Sequence, residues 1–101
     1  MRQTIIRYTV KPERAAENEA YVSKVFEALA RVRPADLRYT TLKLEDGVSF
    51  VHIVSYESAD EMSLKNLDEF KEFSAHVRDR CVEPPVAMAF TPVGEYRMFG
   101  G

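Results

Sequence analysis

The chain has no tryptophan, one cysteine and only two histidines among its 101 residues. A lone cysteine, Cys81, excludes an intrachain disulfide and leaves no thiol pair for a zinc site. Long runs of one charge are also missing. The formal net charge is −2, with no basic stretch to follow a phosphate backbone, so no nucleic-acid partner is expected. No apolar run approaches the roughly 20 residues of a membrane-spanning helix, so no membrane partner is expected either. The opening residues Met1 to Tyr8 are too interrupted for a signal peptide. Together with the unpaired thiol, these features point to a cytoplasmic protein. A glycine-rich phosphate loop and a recognisable serine–histidine–acid set are absent. Glu57, Asp60 and Glu61 have no histidine pair at ligand spacing, so no metal site is expected.

What remains is an ordinary globular composition, 46% hydrophobic and 30% charged, of a length that fits one domain over residues 1–101. Residues 3–10 alternate and are rich in β-branched types, which predicts a first strand. Lys11-Pro12-Glu13 ends it and suits the first turn of a helix running to about Val32. Val22, Val25, Phe26 and Leu29 form its apolar stripe, and Pro34 stops it. Residues 36–45 predict a second strand. Asp46-Gly47 signals a two-residue hairpin turn into a third strand that ends near Glu57. Ser58 to Asn66 is polar and predicts a loop with a short helical turn.

Leu67, Phe70, Phe73, Val77 and Cys81 mark the core face of a second helix. Arg78-Asp79-Arg80 is expected to be its solvated end, with His76 on a solvated edge. Pro84-Pro85 is expected to end this helix. Val86 to Phe99 then predicts a last strand, bent near Pro92 and Gly94. The order βαββαβ implies a ferredoxin-like α+β fold: a four-stranded antiparallel sheet with two helices on one face. No residues remain to cover the other face. A second copy of the chain is therefore expected there, giving a homodimeric α+β barrel.

A turn at Asp46-Gly47 pairs Lys43 with Phe50, Thr41 with His52, Tyr39 with Val54 and Leu37 with Tyr56. These residues share one face. Leu42, Leu44, Val51 and Ile53 occupy the other, which is more uniformly aliphatic and suits the helices. The face with Tyr39, Thr41, Phe50, His52 and Tyr56 is then expected to line the barrel interior. In the first strand Ile6, Tyr8 and Val10 form one set. Ile5, Arg7 and Thr9 form the other, and the same logic turns Arg7 inward. Such a face matches a small-molecule pocket, mostly apolar with a few placed polar groups. It equally matches a hydrated dimer interface, and spacing does not separate the two.

At these residues the chain resembles the antibiotic biosynthesis monooxygenase family of small dimeric α+β barrels. The likeness sharpens at Val51-His52-Ile53-Val54-Ser55-Tyr56-Glu57-Ser58. It sharpens again at Pro84-Pro85-Val86-Ala87 through Phe90-Thr91-Pro92-Val93-Gly94, which is similar to the family's last strand. Oxidising members carry an amide at the His52 position and a tryptophan at the Tyr56 position; here both differ. The resemblance implies oxidation of phenols, anthrones or quinols by dioxygen, with no metal, flavin or other cofactor. It implies catalytic roles for His52, as base or donor, and for Tyr56, by stacking and donating its hydroxyl. Tyr39, Arg7, Phe50 and Thr41 would contact a hydrophobic aromatic substrate. Heme-degrading proteins of the same superfamily use an axial histidine on the second helix, where His76 stands. They also use a strand-one asparagine and a tryptophan, and both are missing here, which argues against that activity. RNA-recognition modules share the element order but need basic and aromatic central strands. Acylphosphatases share it too, but need an arginine loop after strand one, which Lys11-Pro12-Glu13 does not provide. A non-catalytic dimeric ligand-binding domain of the same fold is the alternative to an enzyme.

Overall fold

The computed structural model describes residues 2–57 and 62–98. Strand β1 spans Arg2–Val10, helix α1 Ala15–Val32, β2 Leu37–Lys43, β3 Ser49–Tyr56, α2 Met62–Lys65, α3 Asp68–Arg80 and β4 Cys81–Ala89. The strands form an antiparallel sheet in the order β2-β3-β1-β4. This is the expected ferredoxin-like α+β arrangement.

Local chemistry accounts for the boundaries. Pro12 opens a single 3-10 turn over Pro12–Arg14 that leads into α1. Asn18, Val25 and Ala28 are its buried positions, at helical spacing. Arg33 closes the helix in the left-handed region, φ 52°, with its N–H donating to Leu29 O at 2.7 Å; Pro34 follows. The β2–β3 register is the expected one: Leu37 opposite Tyr56, Tyr39 opposite Val54, Thr41 opposite His52 and Lys43 opposite Phe50. The turn is wider than two residues. Leu44 N–H bonds to Ser49 O at 2.9 Å, and the Asp46 carboxylate accepts from the N–H groups of Val48 and Ser49. Gly47 supplies the positive φ of 78°.

The second half departs from expectation in three ways. Helix α3 stops at Arg80, before the prolines, and Cys81 already belongs to β4. Lys11 N–H takes the Arg80 carbonyl at 2.8 Å, which ties the helix end to the end of β1. Pro84 and Pro85 lie inside a strand instead of ending a helix. The edge position of β4 permits this, because one side needs no ladder partner, and the pairing with β1 shifts register between Arg7 and Thr9. The strand then ends at Ala89, and residues 90–98 carry none. Phe99 lies outside the described residues, as do residues 58–61 of the expected loop; its expected helical turn is α2.

The facing of the sheet is also corrected. Ile6 pairs with His52 and Tyr8 with Phe50 across β1 and β3. Directly opposite residues share a face, so His52 and Phe50 must lie with Ile6 and Tyr8, on the side that the helices cover. The His52 ring lies 5.4 Å from that of Phe73 on α3, and Tyr39 stacks on Phe26 of α1 at 5.1 Å. Arg7 pairs with Val51 and is exposed on the opposite, uncovered face. That face also carries Ile5, Val86 and Met88, the last two more than 60% exposed at 62% and 66%.

Candidate functional site

A cavity of about 360 Å³ lies between sheet and helices. Thr4, Ile6 and Tyr8 of β1, Tyr39 of β2, His52, Val54 and Tyr56 of β3, and Pro85 and Ala87 of β4 line its sheet side. Leu64 and Lys65 of α2, with Phe70, Phe73, Ser74 and Val77 of α3, line the helix side. Exposed Arg2 and Lys65 are its only charged lining residues among the described ones. The alternation of each strand selects this set: Thr4, Ile6 and Tyr8 are two apart, as are His52, Val54 and Tyr56.

His52 is 3% exposed and both of its ring nitrogens are occupied. Tyr8 Oη lies 2.8 Å from Nε2. Tyr39 Oη lies 2.5 Å, and Thr41 Oγ1 3.0 Å, from Nδ1. Behind Tyr8 the contacts continue inward. Asn18 Nδ2 donates to Tyr8 Oη at 2.9 Å, and Arg80 Nε and Nη2 donate to Asn18 Oδ1 at 3.1 and 3.0 Å. Arg80 is fully buried, its guanidinium 4.4 Å from the Tyr21 ring centre and 5.5 Å from that of Phe73. Among the described residues no carboxylate pairs with it, and its Nη1 has no hydrogen-bond partner. A buried cation is costly without compensation. Here the asparagine oxygen and two aromatic faces provide it.

Burial dominates the electrostatics. It lowers the His52 pKa to about 4, so the ring is neutral at physiological pH. Burial also pushes the Tyr8 phenol up to about 12 and the Tyr39 phenol upward. The polar cluster beside the cavity is therefore uncharged except for Arg80, two hydrogen bonds behind Tyr8. It can donate and accept hydrogen bonds, but it holds no strong base near pH 7.

The expected site residues divide as follows. His52, Tyr39 and Tyr56 border the cavity together. Thr41 touches His52 but does not line the space, and buried Phe50 stacks behind Tyr8 at 5.6 Å. Arg7 lies on the uncovered face, as expected of it, but His52, Tyr39 and Tyr56 lie on the other, so it does not join them. His76 is exposed and outside the cavity, near Tyr21. Phe70 and Phe73, expected to be core alone, also line the space. Arg80, expected at a solvated helix end, is instead among the most buried side chains in the molecule. Asn18 and Arg80 were discoverable by spacing: Arg80 continues the Phe73–Val77 stripe, and Asn18 precedes Val22 and Val25 at four and seven residues.

No protein-family model matches this chain, and no curated protein matches it significantly. Solved structures do. A protein from Nitrosomonas europaea named as an antibiotic biosynthesis monooxygenase is 21% identical, with a TM-score of 0.77, covering 93% of this chain and 100% of that one. Rv0793 from Mycobacterium tuberculosis is 17% identical at a TM-score of 0.76, covering 93% and 96% of the two chains. SnoaB from Streptomyces nogalater, described as a cofactor-independent oxygenase, is 21% identical at 0.69, covering 93% and 94%.

The buried imidazole gives this site a pH signature. In the unfolded chain His52 takes up a proton near its ordinary value of 6.5, whereas in the folded protein it does so only near 4. Protons therefore favour unfolding between these values. The contribution is fully present above pH 6.5, and about 3 kcal/mol is lost as pH falls to 4. Urea melts across this range are expected to show that loss and to show it removed in His52→Gln; the same pH slope in both proteins would contradict it. By architecture, the chain has the fold of the proteins named antibiotic biosynthesis monooxygenases.

Proposed function

We propose that the protein is a cofactor-independent oxygenase acting on an aromatic or quinol-type small molecule held between the sheet and the helices. The observation that carries this reading is a neutral imidazole held between two phenols beside a cavity of about 360 Å³ with aromatic and aliphatic walls. That volume suits a small ring system. In such chemistry the substrate binds as the anion, its hydroxyl proton already given up to solvent, and passes one electron to dioxygen; the substrate radical and superoxide so formed then combine into a peroxide. A dry wall with fixed hydrogen-bond groups stabilises the developing charge better than water does. His52, a weak base in this setting with both nitrogens engaged, would polarise the substrate oxygen through its Nδ1 partner Tyr39, which lines the cavity. Tyr56 and Tyr39 would position the ring. Thr41 would hold His52, Phe50 would back Tyr8, and Arg7 has no part in contacting the ligand. Oxygen uptake on a panel of quinols and anthrones is expected in the wild type, and about 100-fold less in His52→Ala. Equal rates would remove His52 from the mechanism.

One observation favours a second reading. Both His52 nitrogens are already occupied, as in a ligand-binding domain that performs no reaction. Ring binding in the wild type without oxygen consumption would select it.

We further propose that a second copy of the chain covers the uncovered face. Ile5, Val86 and Met88 are exposed there beside half-buried Val51 and Ile53. An apolar sheet face in water favours association, and the two faces of a twofold pair would match each other. Sedimentation is expected to give twice the chain mass, and Met88→Asp to shift it toward the single chain. A wild type that sediments as one chain at micromolar concentration would refute the pairing.

A further inference from the structure

The chain of contacts behind His52 has a direction, and that direction determines where the imidazole carries its proton. Arginine has only donors. Arg80 directs Nε and Nη2 at one atom of Asn18, which must therefore be the amide oxygen. The amide nitrogen of Asn18 then faces Tyr8 and donates to its hydroxyl oxygen at 2.9 Å. With that oxygen already accepting, the Tyr8 hydroxyl hydrogen needs an acceptor, and His52 Nε2 stands 2.8 Å away. A neutral imidazole that accepts at Nε2 carries its hydrogen at Nδ1. That hydrogen faces Tyr39 Oη and Thr41 Oγ1.

We propose that Arg80 and Asn18 are positioning residues that set His52 in the Nδ1–H form, acting through Tyr8 without touching the cavity. Neither residue lines the cavity, yet Arg80 is wholly buried with no carboxylate partner among the described residues, an arrangement that stability alone does not favour. Its fork on the amide removes the freedom of Asn18 to flip. Tyr8 is thereby committed to donating toward His52, and His52 to donating toward Tyr39. The ring thus presents a defined donor to Tyr39, a residue that lines the cavity. The assignment stands on geometry. Its bearing on oxygenation rests on the function proposed above.

A nearly isosteric change reverses the logic. In Asn18→Asp the new carboxylate still accepts from Arg80 but can no longer donate to Tyr8. The Tyr8 hydroxyl then donates inward, its oxygen accepts from Nε2–H, and the imidazole hydrogen moves from Nδ1 to Nε2. Long-range 1H–15N correlation spectra of histidine-labelled protein read this directly. The chain has two histidines, so His76→Gln leaves His52 as the sole signal. At pH 7 the expected result is a protonated Nδ1 and a bare Nε2, with the pattern exchanged in Asn18→Asp. A wild-type ring protonated at Nε2 would overturn the proposal on its own, whether or not the variant folds. A well-dispersed variant that keeps the wild-type pattern would overturn it as well. The readout is ring protonation, not turnover, so it fails or succeeds independently of the oxygenase reading.

Discussion

A neutral imidazole sealed between a sheet and two helices must find a partner for each nitrogen, and much of this molecule is arranged around that requirement. Tyr8 is brought to Nε2 from β1, and Tyr39 and Thr41 to Nδ1 from β2. These are the neighbours of β3 in the sheet, so the strand order itself delivers both sets. Each partner creates a further need. The Tyr8 oxygen takes Asn18 from α1, and Asn18 takes Arg80 from the end of α3. One polar line thus crosses the layers of the fold. Losing any member would leave a buried group without its hydrogen bond, at a cost of about 1–3 kcal/mol.

The same line separates structural from chemical duties. Arg80 lies at its far end, packed on Tyr21 and Phe73. The cavity lies at its near end, against His52, Tyr39 and Tyr56. Burial keeps the imidazole and the Tyr8 and Tyr39 phenols neutral over the physiological range. A ligand in the cavity would therefore meet hydrogen-bond groups of fixed direction and aromatic walls, with Arg2 and Lys65 the only charged lining residues among the described ones.

The element order, the β2–β3 register and the first helix were legible because each depends on neighbours in sequence. Asp46-Gly47 marks a turn, and any turn centred there places Thr41 opposite His52. The facing of β3 was not legible from β3 itself. Val51 and Ile53 are as apolar as Val54 and Phe50, so hydropathy gives no preference between its sides. The decisive contact is Ile6 opposite His52, a pairing of strands far apart in the chain. The end of α3 was obscured by a similar non-local effect. Pro84-Pro85 resembles a helix stop, but the edge position of β4, known only from the assembled sheet, lets both sit within a strand. Arg80 was misplaced because a charged residue near a helix end is ordinarily solvated, and its partner Asn18 lies 62 residues away.

The central claim is that the helix-covered side of the sheet, with His52 in its wall, is where this protein meets a small aromatic molecule. The most direct measurement is an NMR titration with a reduced naphthoquinone under nitrogen, following side-chain signals on both sides of the sheet. The account predicts saturable shifts at His52, Tyr39, Tyr56 and Phe73, with Ile5, Val51 and Met88 unmoved. Shifts confined to the Ile5, Val51 and Met88 side, or none at millimolar ligand, would contradict it.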